Sequence, residues 1–352
     1  MNQCFLREES MKKIMLALSI ALLTVPAGAA LAEDGAENVI LPAAGENFVY
    51  DNKVSGISMT IPGNRVENQD SNGPMYQAYL PDEGISLSIL SRAHAQPYMK
   101  SQMKEKLADA EKFLKESIRN SGEKQLYLKK VKFGGETAFM AGTSGKGEAG
   151  NFGVIRYVFL RPDGTVMVSF TMKEEDMKKN SSYVEQLINT VKFYTPMQKI
   201  SVKGTAYTYD IPASMKVDYD PPVAPDHVLV AGNRLLMTGV AVLSLSENPE
   251  FSFLPSSLSG LTDAKKEEII RHFQDKLASE STGKYVKNVS FLFGPVHGMD
   301  GLQLDFDDQG DHTRSYIFVK DGKYISFDYI YNLKEKDYAE GVIAQSVQSI
   351  SL

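Results

Sequence analysis

Residues 154–172 read VIRYVFLRPDGTVMVSFTM, and a similar stretch, RSYIFVKDGKYISFDYIY, recurs at residues 314–331. Each stretch has two runs rich in β-branched and aromatic residues on either side of an Asp-Gly pair. Asp163-Gly164 and Asp321-Gly322 are typical of tight hairpin turns, whose central residues need positive φ angles. In the returning runs, apolar residues alternate with polar ones, as in a strand with one solvated face. The two stretches therefore predict one β-hairpin in each half of the chain.

The similarity extends outward from the hairpins, in the same order in both halves and at separations of about 150 to 160 positions. The repeated elements are strands ending at Ile61-Pro62 and Ile211-Pro212, strands over 84–90 and 239–245, amphipathic helices over 99–118 and 262–277, and closing helices from 182 and 337. This order is not the strict strand–helix alternation of a parallel sheet. We predict an α+β fold with two tandem copies of a mainly antiparallel sheet, each covered by two helices.

Three of these helices have recognisable start signals. Thr262 is a candidate N-cap, because its hydroxyl can accept a hydrogen bond from the first turn. Ser182–Glu185 and Asp337–Glu340 have the spacing of a capping box. The spacing places the starts of the two closing helices at these residues.

Each half, with its apolar strand ending in Ile-Pro, its helix in mid-chain, its hairpin and its short closing helix, resembles the PsbP-like α+β fold, which includes the bacterial DcrB-like envelope proteins. The resemblance covers nearly the whole mature chain, twice. The family places a Trp shortly after the Pro, whereas this chain has no Trp and carries Arg65 and Met215 near that place. Because the family is mostly non-catalytic, the resemblance implies no active-site residues.

The N-terminus has the pattern of a secretory signal peptide over residues 1–32, with Met11 as the expected true start. Lys12 and Lys13 precede an apolar run, and Ala30 and Ala32 form a small-residue cleavage site. The apolar run is too short to span a bilayer, so we expect no stable membrane insertion after cleavage. We therefore expect an extracytoplasmic protein, periplasmic or secreted.

The mature chain is expected to begin with a flexible lead-in at residues 33–47. Two domains follow, at 48–195 and 196–352, with Thr195-Pro196 at their junction. The single cysteine, Cys4, lies in the part that cleavage removes, so a disulfide is not expected.

The charge of the chain argues against some classes of partner. The net charge is −6, and removal of residues 1–32, with three basic and two acidic residues, leaves −7. A mildly acidic chain without a basic cluster does not favour nucleic acid or an anionic membrane surface.

The candidate catalytic signals in the sequence are one glycine-rich pattern and the five histidines. Gly145–Gly150 spells G-x-G-x-x-G, but the chain continues into a strand and not into the helix that this phosphate-binding motif requires. The histidines are scattered, without helical metal-ligand spacing: His94, His227, His272, His297 and His312. We therefore do not expect an enzyme.

One cluster of carboxylates suggests a cofactor. Asp305, Asp307, Asp308 and Asp311 lie in a short segment, and oxygen ligands of this kind suit calcium. The alternative is a solvated hairpin tip, with no cofactor.

One apolar segment suggests a partner. The loop over residues 247–262 is long and contains Phe251, Phe253, Leu254 and Leu258 among Pro and Ser residues. Long apolar loops in compact domains are often binding loops. The alternative is that these side chains pack against their own domain.

These patterns together predict an exported, non-catalytic binding or adaptor protein of the cell envelope, which recognises a protein partner through loops of its second domain. The first alternative is a carrier of a small apolar ligand, with a pocket between sheet and helix. An unrecognised hydrolase comes third.

Overall fold

The computed structural model describes residues 46–67, 75–133, 135–148, 150–219, 221, 227–279 and 285–352. Its contacts divide the chain into two compact units. One unit consists of the described residues up to His94 together with Ser101–Tyr194, and the other of Ala95–Lys100 together with Thr195–Leu352. We refer to them as the first and second domains.

The first domain is built on a seven-stranded sheet in which every neighbouring pair is antiparallel. Its elements are β1 (Phe48–Asn52), β2 (Ile57–Ile61), β3 (Val66–Glu67), β4 (Met75–Leu80), β5 (Ile85–Ala93), α1 (Lys100–Asn120), β6 (Lys124–Phe133), β7 (Glu136–Gly147), β8 (Gly150–Leu160), β9 (Gly164–Lys173), α2 (Met177–Ile188) and β10 (Lys192–Phe193). The large sheet has the order β3-β4-β5-β9-β8-β7-β6, and β1, β2 and β10 form a small second sheet.

The second domain repeats this plan. Its elements are β11 (Met197–Ser201), β12 (Thr208–Pro212), β13 (Lys216–Tyr219), β14 (Leu229–Gly232), β15 (Met237–Ser244), α3 (Asp263–Ser279), β16 (Lys287–Val296), β17 (Met299–Asp308), β18 (Asp311–Lys320), β19 (Lys323–Asn332) and α4 (Lys336–Gln348). Its large sheet has the order β13-β14-β15-β19-β18-β17-β16, and β11 pairs with β12. The predicted α+β fold class is confirmed.

The two predicted hairpins are β8-β9 and β18-β19, which lie at the centre of each sheet. In the second copy, Asp321 and Gly322 have φ angles of 51° and 71°, so the predicted tight turn forms. The first copy differs, since Leu160 pairs with Thr165 across a four-residue loop. A Cβ on Gly164 would lie 2.9 Å from the carbonyl oxygen of Arg92, so a close approach of the backbone, and not a positive φ, requires this glycine.

Each large sheet has a core on both faces. In the first domain, α2 and the small sheet cover one face, and Leu114 and Ile118 of α1 pack on the other. The prediction of a solvated face on the returning strands is therefore wrong, because Ser169 and Ser326 are both buried. In the second domain, α4 covers one face, while α3 and residues 251–258 cover the other.

Both closing helices begin earlier than the capping boxes predict. Helix α2 begins at Met177 and α4 at Lys336, each after a short 3₁₀ turn. In α2, Met177 and Asn180 are buried, and the Asn180 amide donates to the Glu83 carbonyl oxygen at 3.0 Å. These contacts dock the first turn, so the helix does not need Ser182 as a cap. The Thr262 cap does form, since its Oγ1 accepts from the Lys265 amide at 3.3 Å.

Candidate functional site

The face of the second sheet that α4 covers carries a cluster of charged side chains, which we call the ionic cluster: Asp305, Asp307, His312, Arg314 and Glu340. On strand β17, Asp305 and Asp307 are two residues apart and share a face. The sheet register pairs them with Arg314 and His312 on β18. Helix α4 contributes Glu340 from above. The cluster is therefore assembled by strand register and by one helix.

Arg314 links the strands to the helix. Its Nε donates to Asp305 Oδ1 at 2.5 Å, and its Nη1 donates to Glu340 Oε2 at 2.5 Å. Burial lowers the pKa of the Arg314 guanidinium, but the two carboxylates outweigh burial and hold that pKa above its ordinary value. Arg314 is therefore a fixed cation.

Tyr331 and Glu340 form the neighbouring contact, with the Tyr331 hydroxyl donating to Glu340 Oε1 at 2.6 Å. Burial and the carboxylate beside it raise the pKa of Tyr331. Burial alone would raise the pKa of Glu340, but the hydrogen bonds from Tyr331 and Arg314 outweigh it and lower that pKa. Glu340 is therefore held as a carboxylate.

His312 lies between the two aspartates. Its Nδ1 is 2.6 Å from Asp307 Oδ1, and its Nε2 is 3.2 Å from Asp305 Oδ1. The pKa of Asp307 is lowered by a hydrogen bond from Asn288, at 2.6 Å, and by His312. Each imidazole nitrogen of His312 therefore faces a carboxylate oxygen, and the ring bridges the two aspartates.

The first domain has uncharged residues at the corresponding register positions. Gly142 pairs with Ile155 where Asp305 pairs with Arg314, and Ser144 pairs with Gly153 where Asp307 pairs with His312. The ionic cluster is thus a difference between two sheets that otherwise share one plan. In the sequence, charged residues stand at every second position over 305–307 and 312–314, but only the register shows that they meet.

The first domain has an ion pair of its own, on the face covered by α1. Arg156 contacts both carboxylate oxygens of Glu123, at 2.6 and 2.8 Å, and Thr143 donates to Glu123 at 2.6 Å. Arg156 and Thr143 are buried. Burial raises the pKa of Glu123. The hydrogen bonds from Arg156 and Thr143 and the charge of Arg156 outweigh burial and lower that pKa.

The four aspartates considered for calcium do not converge. Asp305 and Asp307 lie within β17 and are engaged by Arg314, His312 and Asn288. Asp308 follows on the opposite face of the strand, and Asp311 accepts from the Asn332 amide at 3.0 Å. Within the described ranges, no group of three or more acidic, His or Cys side chains is arranged to hold a metal ion.

The apolar loop corrects the partner-binding hypothesis. Phe251, Leu254 and Leu258 are buried in a core with residues of α3 and the sheet. The Phe251 ring stacks on Tyr324 with centroids 4.4 Å apart. Phe253 is partly buried and packs against Phe273. Helix α3 and the sheet enclose these side chains. The loop therefore packs against its own domain, which is the alternative that the sequence left open, and these side chains do not form a partner surface.

A histidine, an aspartate and a serine also meet in the second domain, on the α3 face. His227 Nε2 is 3.1 Å from Asp328 Oδ2, and the Ser326 hydroxyl donates to the same oxygen at 2.9 Å. A hydrolytic triad needs the histidine between serine and acid, so that it can take the hydroxyl proton. Here the acid lies between them, and the arrangement does not activate Ser326.

One cavity bears on the small-ligand alternative. It lies in the first domain beside α1, is lined by residues that include Leu114, Glu123 and Arg156, and has a volume of about 10 Å³. Pockets for small ligands usually measure roughly 300–1,000 Å³. Its volume lies below that range, and its charged residues already bind each other, so this cavity does not support a ligand carrier.

The two sheets also differ at one outer edge. Strand β6 ends the first sheet and β16 ends the second, at corresponding places in the strand order. Strand β6 carries four lysines, at 124, 129, 130 and 132, whereas β16 carries only Lys287. On β16, Leu292 is 64% exposed and Val289 is 38% exposed. Strand β16 is therefore an apolar edge where β6 is a basic one.

The predicted signal peptide of residues 1–32, with Ala30 and Ala32 as its predicted cleavage site, lies outside the described residues, as does most of the predicted lead-in at 33–47. In the part of the chain that the structure covers, no helix is both long enough and apolar enough to cross a membrane.

No protein-family model matches the chain, and no curated protein matches it significantly. Solved structures give weak likenesses. Cyanobacterial PsbP (CyanoP) from Synechocystis sp. PCC 6803 is 15% identical and has a TM-score of 0.32, over 44% of this chain and 92% of its own. A protein from Bacteroides thetaiotaomicron VPI-5482 is 12% identical, with a TM-score of 0.31, over 86% of this chain and 97% of its own. The immunity protein TplEi of the T6SS from Pseudomonas aeruginosa is 10% identical, with a TM-score of 0.23, over 87% of this chain and 97% of its own. One of these structures is thus a PsbP, and all of these likenesses are weak and concern the fold alone.

Proposed function

We propose that the protein is an exported, non-catalytic binding protein of the cell envelope, whose second domain recognises a partner protein. The observation that carries the proposal is the distribution of exposed apolar side chains. Among the described residues, nine large apolar side chains are exposed, and six of them belong to the second domain: Tyr219, Met237, Tyr285, Val289, Leu292 and Leu333. Exposed apolar surface is typical of sites that contact other macromolecules.

The distribution of charge also supports recognition of a partner by the second domain. Residues 195–352 contain 15 basic and 21 acidic residues, a net charge of −6, whereas residues 46–194 contain 20 and 18, a net charge of +2. A domain with one sign of charge attracts partners of the opposite sign and repels others.

Export rests on the N-terminal pattern of Lys12, Lys13, an apolar run and Ala30-Leu31-Ala32. Cleavage after Ala32 gives a mature chain that begins at Glu33, which an intact-mass measurement of the purified envelope protein detects. Retention of residues 11–32 on that protein would contradict export.

Recognition is tested by photo-cross-linking of the full chain in its own cells. A benzophenone amino acid replaces each of the six exposed second-domain residues in turn, or Val54 or Leu126 in the first domain as matched exposed positions. We expect one discrete adduct from the second-domain positions and none from the others. Adducts only from the first-domain positions, or none from any position, would contradict the proposal.

A further inference from the structure

We propose that the outer edge of β16 pairs with an extended, lysine- or arginine-bearing segment of the partner protein. The inference rests on the proposed function, to which it adds the surface and the chemistry of the partner. Its first support is the sheet order. Strand β16 is the last strand of its sheet, and no strand of the described chain pairs with its outer side. Such an edge offers unpaired backbone groups to an added strand.

The register limits the usable length of this edge. Pairing with β17 is shifted between Lys287 and Ser290, where Asn288 has a φ angle of 53°. At the other end, Pro295 has no backbone N–H to donate. The regular part of the edge is therefore Ser290–Gly294, enough for a short strand.

The side chains along Ser290–Gly294 differ from those that protect a sheet edge against pairing with another strand. Proteins commonly protect sheet edges with lysines, as β6 does in the first domain. Leu292 pairs with Gln303, and Lys129 pairs with Met140, at corresponding positions of the two sheets. Leu292 is exposed at the place where β6 has a lysine, and it can pack against an apolar side chain of an added strand.

The charge of the partner follows from the surroundings of the edge. Lys287 is the only charged residue within β16, while β17 beside it carries two acids outside the ionic cluster, the exposed Asp300 and the partly buried Asp308. With the net charge of −6 over residues 195–352, this favours a cationic strand over an acidic one.

Synthetic peptides test the inference with the mature full-length protein. The probe is a fluorescent decapeptide of alternating lysine and valine, and the matched control alternates glutamate and valine. Two further lysine peptides carry N-methyl groups, one at the odd residues and the other at the even residues. Only residues facing β16 use their N–H groups, so one methylated peptide should lose binding and the other should keep it.

We expect the lysine peptide to bind and the glutamate peptide not to bind, by fluorescence anisotropy at low salt. Leu292→Lys should weaken binding at least tenfold, whereas Lys129→Leu on β6 should leave it unchanged. Equal binding of both methylated peptides, no effect of Leu292→Lys, or no binding of the lysine peptide would overturn the inference. Self-association of the protein through Leu292, which sedimentation detects, would overturn it too. The proposed function fails separately, since its cross-linking test detects contact at any of the six exposed second-domain residues, whereas the peptides test the β16 edge alone.

Discussion

The buried ion pair of the first domain sets a clear expectation for single residues. Arg156 and Glu123 are largely enclosed, with 8% and 10% of their side chains exposed. Removal of one partner leaves the other charge buried and unpaired, which costs about 3–5 kcal/mol in comparable cases. We therefore expect Arg156→Met to lower the free energy of unfolding by about that amount, measured by urea unfolding.

The double variant Arg156→Met with Glu123→Gln is the control, because it removes both charges together. It should recover part of the lost stability, since neither charge is left unpaired. A single variant as stable as the wild type would show that the pair is not buried as described.

A second expectation concerns acid sensitivity of the ionic cluster. Glu340 has a lowered pKa in the folded chain, so it contributes stability that is present above its unfolded pKa, about 4.3. This stability is lost as the pH falls through the lower, folded pKa. We expect Glu340→Gln to lower the melting temperature at pH 7 and to reduce the further loss on going to pH 3. A pH profile that is identical to the wild type would contradict the role of Glu340.

Single residues also mark where sequence reasoning reached its limit. The charges at Asp305 and Asp307 were recognised, but as ligands of calcium. Their true partners, His312 and Arg314, lie across a strand pair, and pairing depends on a register that local patterns do not fix. Glu340 comes from a helix further along the chain, so its approach depends on tertiary packing.

At the scale of elements, the loop over residues 247–262 shows how composition can be interpreted in two ways. Apolar residues among Pro and Ser suit both a binding loop and a loop that covers its own core. Phe251 stacks on Tyr324, and the Nζ of Lys276 lies 4.5 Å from the Phe251 ring centroid. Tyr324 and Lys276 belong to β19 and α3, whose positions the loop sequence does not encode.

We expect Phe251→Ala to destabilise the protein by about 3–5 kcal/mol, because it leaves a cavity in a closed core. Phe253→Ala is the matched control, and its effect should be smaller because Phe253 is only partly buried. Urea unfolding of the full chain measures both. A Phe251→Ala variant with unchanged stability would restore the loop as an exposed surface.

Strands and helices were predicted better than their ends. Periodicity of apolar residues identified the hairpins and the amphipathic helices, since burial of one face requires it. The starts of α2 and α4 were wrong. For α2, buried contacts of Met177 and Asn180 extend the helix beyond its local signal. The conformation predicted for the hairpin turn at Asp163-Gly164 was also wrong. The close approach of Gly164 to the Arg92 backbone cannot be predicted from an Asp-Gly pair alone.

For the whole molecule, the repeat was the most informative pattern in the sequence. Two similar sets of elements in the same order predicted two similar sheets, and the strand orders agree position by position. What the repeat could not show is how the halves differ. The basic edge of β6, the apolar edge of β16 and the ionic cluster emerge only when corresponding register positions are compared.

We propose that the chain consists of two self-contained domains with one plan. Thermal unfolding of the halves, expressed separately as residues 46–194 and 195–352, tests it most directly. We propose that each half has its own core and predict one cooperative transition for each. If neither half melts cooperatively, the two copies form one interdependent fold and the claim is wrong.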